Sequence, residues 1–332
     1  MKNENLKLIA QQLVASGKGI LAADESTPTC TKRFEALGVN STDKTRNEYR
    51  SMLFTTNSLE SYISGVILFH ETFYQNINNT TIPIPQYLAN KNIIPGIKVD
   101  TGAKALAKHN LEKITEGLDG LRDRVKNYYE KGARFAKWRA VITINDKIPT
   151  LGCIHANAHA LARYAGICQE NGLVPIVEPE VLMDGAHTIE KCYEVSNQTL
   201  KHVFQELDLL NIDLESIILK PNMILPGSTS NENIDNHQIA QMTFEVLKNN
   251  VPQEVPGVAF LSGGQSSDLA AERLNELNKH YTKKPWKLTF SYGRALQKDA
   301  LTHWANGNAE SAQEALIYRS KMNYLAAKGE LN

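Results

Sequence analysis

The stretch Leu173-Val174-Pro175-Ile176-Val177-Glu178-Pro179-Glu180, entered through Asn171-Gly172, decides the fold. Five apolar residues, most of them branched, run without a polar break and end in two carboxylates. A short continuous apolar run bounded by turn residues fits a parallel strand buried on both faces. Glu178 and Glu180 are two apart, so strand geometry sends both to one side. Seven other runs have the same form: 19–24 (GILAAD), 65–70 (GVILFH), 93–100 (IIPGIKVD), 134–140 (RFAKWRA), 216–221 (SIILKP), 257–262 (GVAFLS) and 287–292 (KLTFSY). Helical stretches are expected at 44–62, 119–132, 155–171, 186–209, 234–249, 266–279 and 309–328. Within 155–171, Ala158, Leu161, Ala162, Ala165 and Cys168 repeat at helical spacing. The Asn- and Pro-rich stretch 76–92 reads as a long surface loop. Eight strand-helix alternations predict an α/β chain folded as a single (β/α)8 TIM barrel over residues 1–332, with a short C-terminal tail at about 329–332. A doubly wound sheet is the competing arrangement.

Lys and Arg total 36, as do Asp and Glu, so the formal charge is zero. That balance argues against a dedicated nucleic-acid binder or a polybasic membrane protein. Four cysteines in 332 residues form no CxxC pair and are too sparse for a disulfide scaffold. No apolar run approaches 18 residues, and the N-terminus lacks a signal-peptide core, so the expected location is the cytoplasm.

The strand ends carry the chemistry. Apolar runs terminate in Asp24, Lys98 and Asp100, Lys137 and Arg139, Glu178 and Glu180, Lys220, Ser262, and Ser291. Barrel active sites lie at the C-terminal ends of the strands. A charge at one strand end is unremarkable, but buried charges are expensive unless used or paired, and here five strands end this way. Lys220 sits between an apolar run and Pro221. Desolvation and neighbouring cations such as Lys137 and Arg139 lower a lysine's pKa and free its amine to attack a carbonyl. Glu178 and Glu180 are like charges at a spacing expected to raise the pKa of one of them, which suits a general acid/base. Segments 261–266 (LSGGQS) and 290–294 (FSYGR) follow the last two strands, where this fold commonly binds phosphate. There Ser262, Gly263, Ser291 and Gly293 bring backbone or hydroxyl donors, and Arg294 can chelate an anion. Ser26, Thr29, Lys32 and Arg33 follow the first strand and form a second anion-binding candidate, with a solvated helix start capped by Ser26 or Thr27 as the plain alternative. G-x-G-x-x-A at 17–22 precedes its strand, the wrong context for a dinucleotide turn. His155 and His159 lie at i, i+4 without a glutamate between them, and no other His/Cys cluster has metal-ligand spacing, so neither a metal nor another cofactor is expected.

These segments resemble the class I fructose-bisphosphate aldolases over about residues 17–328. The resemblance is carried, in order, by LAADES (21–26), GVILFHET (65–72), GIKVD (96–100), GLDGL (117–121), FAKWR (135–139), NGLVPIVEPE (171–180), LKPN (219–222), FLSGGQS (260–266) and PWKLTFSYGRALQ (285–297). It implies reversible cleavage of fructose 1,6-bisphosphate to dihydroxyacetone phosphate and glyceraldehyde 3-phosphate. Lys220 then matches the Schiff-base lysine, Glu178 the acid/base of carbinolamine dehydration, and Asp24 the carboxylate that takes the C4 hydroxyl proton. Lys137 matches the lysine assisting carbinolamine formation, and Glu180 the group positioning it. Ser262, Gly263, Gly293 and Arg294 match one phosphate site; Ser26, Thr29, Lys98 and Arg139, with Lys32 and Arg33 close by, match the other. The resemblance also implies a homotetramer. A related sugar, sedoheptulose bisphosphate or fructose 1-phosphate, is the alternative substrate. Thr29 stands where many members have serine. The sequence stops at Asn332, without the longer tail ending in tyrosine that many members carry; its last tyrosine, Tyr324, is expected on the final helix.

Overall fold

Each of the eight apolar runs forms a strand in the computed structural model, which describes residues 2–332; Met1, the first residue of the span 1–332, lies outside it. The first third of the chain gives α1 (Lys2–Leu13), β1 (Gly19–Ala23), α2 (Thr27–Glu35), α3 (Asp43–Phe54), β2 (Ile63–Leu68), α4 (His70–Phe73), α5 (Ile84–Asn90) and β3 (Ile94–Lys98). Then come β4 (Ala103–Ala105), β5 (Lys113–Thr115), α6 (Leu121–Glu130), β6 (Phe135–Ile142), α7 (Leu151–Glu170), β7 (Val174–Val181), α8 (Ile189–Leu209) and β8 (Ile218–Leu219). The last third holds α9 (Asn236–Asn250), β9 (Gly257–Phe260), α10 (Ser267–His280), β10 (Lys287–Tyr292), α11 (Arg294–Ala305) and α12 (Ala309–Lys328). Eight strands close a barrel in the order β1-β10-β9-β8-β7-β6-β3-β2, and every neighbouring pair is parallel. The doubly wound alternative is therefore excluded. β4 and β5 make a separate antiparallel hairpin.

Two apolar layers hold this frame. Inside, Phe135, Ile20, Ile67, Ile176 and Ile218 pack with Leu6, Ile9, Ala10 and Leu13 of α1, which plugs one end of the barrel. The interior is crowded enough to dictate glycine: a Cβ on Gly96 would lie 2.2 Å from the Phe135 ring. Outside, the second face of the strands packs on the helices, with Trp138 stacked on Tyr164 of α7. Burial of both faces is why the strands read as unbroken apolar runs.

Three readings are corrected. The stretch 76–92 is not a plain loop. It carries α5, whose Ile84 and Leu88 are fully buried; Pro83 and Pro85 flank the helix start, where proline costs no hydrogen bond. The helix expected at 44–62 ends at Phe54, and Leu59–Ser61 is a separate 3-10 turn. The strand expected at 216–221 keeps only Ile218–Leu219, since Ser216 belongs to a 3-10 turn and Pro221 has no N–H for the ladder. Tyr324 does lie on α12, edge-on to Tyr62. Residues 329–332 are docked: Glu330 N–H donates to Leu325 O, and Leu331 exchanges two hydrogen bonds with the Asn275 side chain on α10. All four cysteines are free and buried. Among the described residues no helix is long and apolar enough to cross a membrane.

Candidate active site at the barrel mouth

All sixteen site residues expected from sequence line one cavity of about 620 Å³ at the C-terminal ends of the strands. At its floor runs a row of alternating charge. Asp24, just past β1, is 2.6 Å from Lys137 Nζ on β6. Lys137 Nζ is 3.4 Å from Glu178 Oε2 on β7, and Glu178 Oε1 is 3.1 Å from Lys220 Nζ. Lys220 follows β8 directly, and its backbone N–H donates to Val177 O, so the side chain is aimed from a fixed main chain. Lys137, Glu178 and Lys220 are each at most 4% exposed. Ions at this depth persist because each faces an opposite charge.

The same row sets the ionisation states. Burial pushes the Asp24 carboxyl up, but Lys137 and Lys220 outweigh it and hold the group far below the usual carboxylate range. Burial likewise raises Glu178, and Lys220, Lys137 and Arg139 bring it below its ordinary value. Burial lowers Lys137, while Asp24 and Glu178 lift it well above the usual ammonium range. The expected upward shift is therefore absent at Glu178, which lysines flank; Glu180 pairs instead with the Arg139 guanidinium. For the same reason Glu180 does not contact Lys137 as an ion-pair partner. Its partner Arg139 in turn donates its backbone N–H to Asp100, which also faces Lys98 Nζ at 3.4 Å.

Two groups of anion-binding character sit on the wall. On one side the turn 262–264 passes into the start of α10, with Gly263 at φ +54° and Gly264 at φ +96°. Arg294 begins α11 directly after Gly293 and lies over Gly264. A Cβ on Gly293 would come within 3.2 Å of Ala22 O, so a side chain here would press on the main chain at the end of β1. The Ser291 hydroxyl is buried against the cavity and makes no hydrogen bond within the protein. On the other side Ser26 is the N-cap of α2, yet its hydroxyl caps no backbone N–H and instead meets the Thr29 hydroxyl at 3.1 Å. The α2 N-terminus is thus open toward the cavity, with Lys32, Arg33, Lys98 and Arg139 around it.

A model of the family described as fructose-bisphosphate aldolase class-I matches residues 5–332. The chain belongs to that family. A probable fructose-bisphosphate aldolase class 1 of Xanthomonas campestris pv. campestris is 50% identical, with 99% of each chain covered. The cytosolic fructose-bisphosphate aldolase 4 of Arabidopsis thaliana is also 50% identical, over 94% of this chain and 80% of its own. Among solved structures, the Plasmodium falciparum aldolase in complex with TRAP and a small-molecule inhibitor superposes with a TM-score of 0.97 at 47% identity, over 100% of this chain and 96% of that one. As a class I aldolase the chain is an enzyme of the lyase class.

Beneath the aldolase mouth the structure adds residues that strand-end reasoning missed. Glu25 lines the cavity one position past Asp24, and its carboxylate accepts from Arg33 Nη1 at 2.6 Å and from Gln297 Nε2 at 3.0 Å. Gln297 also donates to Ala22 O, and the buried Arg50 donates to Glu25 O. This network ties α2, α3 and α11 to the end of β1. The sequence signal was present in LAADES and GRALQ, but the residues lie beyond the strand ends. With Glu25 included, the mouth carries seven cations and five carboxylates, an excess of +2 inside a neutral protein.

Proposed function

We propose that Lys220, Glu178, Asp24 and Lys137 perform the reversible aldol cleavage of fructose 1,6-bisphosphate through a Schiff base, as a step of glycolysis and gluconeogenesis. The observation that carries this reading is the buried row Asp24–Lys137–Glu178–Lys220 flanked by two separate anion-binding groups. The Lys220 amine attacks the C2 ketone to form a carbinolamine. Lys137 delivers a proton to the developing alkoxide. Glu178, in contact with both lysines, takes the proton that the Lys220 nitrogen gives up and passes it to the carbinolamine hydroxyl, which leaves as water. The protonated imine then draws the C3–C4 bonding electrons as Asp24 removes the C4 hydroxyl proton. Glyceraldehyde 3-phosphate departs and an enamine remains. Protonation at C3 and hydrolysis of the imine release dihydroxyacetone phosphate and regenerate the amine.

Ser262, Gly263, Ser291, Gly293 and Arg294 take one phosphate; Ser26, Thr29, Lys32, Arg33, Lys98 and Arg139 take the other, with Glu180 holding Arg139 in place. A substrate with two phosphates uses both groups, which favours the bisphosphate over fructose 1-phosphate. We also assign residues 1–332 to one folding unit, and a homotetramer in the cytoplasm, the latter supported by the cytosolic Arabidopsis relatives. The test of the reaction is steady-state cleavage in EDTA. Lys220→Met is expected to lose about 10⁴-fold or more in kcat, and Asp24→Asn about 10²–10⁴-fold. Undiminished cleavage by Lys220→Met overturns the reading.

A further inference from the structure

We propose that His237, Glu276 and His280 form a divalent-metal site on the outer face of the barrel, between α9 and α10, suited to zinc, nickel or copper(II). Sequence spacing excluded metals by looking only for His and Cys. The fold instead brings a glutamate and two histidines together from helices about forty positions apart. Glu276 and His280 are four apart in the last turns of α10, so they share one face. His237 lies in the first turn of α9.

The convergence is tight. Glu276 Oε2 is 2.9 Å from His280 Nε2 and 4.0 Å from His237 Nδ1. One ligand atom from each residue lies within 4.8 Å of the other two. The two imidazole rings meet edge to face at 4.7 Å between centroids. Ligand atoms bonded to zinc at about 2.0–2.1 Å stand about 3.3 Å apart in a tetrahedron, so small side-chain rotations complete the set.

A helical His–Glu hydrogen bond explains His280 alone. It leaves His237 aimed at the same carboxylate oxygen from another helix, at 4.0 Å, beyond hydrogen-bond range. One ion bound to all three accounts for both histidines. Two imidazole nitrogens and one carboxylate suit zinc, nickel and copper(II), and are too nitrogen-rich for calcium or magnesium. Both histidines are exposed and Glu276 is half-buried, so an ion has an entry path and room for water as remaining ligand. None of the three residues lines the barrel mouth. The ion would pin α9 to α10, and the aldol chemistry would run without it.

The experiment titrates metal-free full-length protein with ZnCl₂ by calorimetry at neutral pH, with cleavage rates measured alongside. The wild type is expected to bind one ion per chain at the strongest site. His280→Ala and His237→Ala are each expected to weaken that site at least tenfold, with unchanged circular dichroism and cleavage rate. The control is His155→Ala/His159→Ala, which removes two histidines that share the Glu206 carboxylate on another pair of helices. This control is expected to bind zinc like the wild type. Absence of a one-ion site in the wild type, equal affinity in the triple variant His237→Ala/Glu276→Gln/His280→Ala, or loss of the site in the control overturns the proposal.

Discussion

Lys137 holds the centre of the buried row of charges, with Asp24 on one side and Glu178 on the other. Its pairing makes stability depend on pH in a defined direction. Asp24 has a folded pKa below its ordinary value near 3.8, so its contribution is present above about pH 4 and is lost as pH falls toward the folded value. Lys137 has a folded pKa above its ordinary value near 10.5, so its contribution is present below about pH 10 and is lost as pH rises. The pair therefore supports the fold through the neutral range and weakens at both extremes. Asp24→Asn should lower stability by about 3 kcal/mol at pH 7. The gap from wild type should narrow when urea midpoints are compared at pH 3 and pH 7. A gap independent of pH would contradict this reading of the pair.

At the scale of elements, the end of β7 is held by one side chain after β8. Val181 N–H donates to Asn222 Oδ1 at 3.0 Å, while Asn222 Nδ2 reaches Ser196 on α8 and Met223 O. Asn222→Ala leaves the Val181 N–H without its acceptor and should cost about 1–3 kcal/mol by chemical denaturation. Glu178, the proposed acid/base, sits three residues upstream, so kcat should fall as well. A stability within 0.5 kcal/mol of wild type, on the order of an ordinary surface change, would contradict it. The strands were legible because both of their faces are buried, leaving apolar runs no other element needs. Short elements were not. α2 opens on Thr27-Pro28, α5 has prolines at its start, and β4 and β5 are three residues each with no apolar run, so composition marks all of them as loop. α1 is apolar on one face, but its role as a plug depends on glycines at 65 and 257 far along the chain.

For the molecule as a whole, site residues were legible where the fold rule applies, at strand ends. The Glu25, Arg50 and Gln297 network was hidden because it joins three helices whose placement only closure of the barrel defines. Pairing was hidden too: residues 178 and 180 share a face, but which cation each meets depends on side-chain reach across neighbouring strands. The tail illustrates the converse. Residues 329–332 contact α10 and stay away from the mouth. Deleting them should leave cleavage nearly unchanged and lower stability by about 1 kcal/mol through the lost Asn275 hydrogen bonds. A large, selective loss of proton exchange at C3 of dihydroxyacetone phosphate would show that the tail takes part in the chemistry.

The central claim, that Lys220 forms the covalent intermediate, is tested most directly by borohydride reduction in the presence of dihydroxyacetone phosphate, followed by peptide mapping. One reduced adduct per chain on Lys220, undiminished by EDTA, is the predicted result. An adduct on Lys137 or Lys98, or none at all, would contradict it.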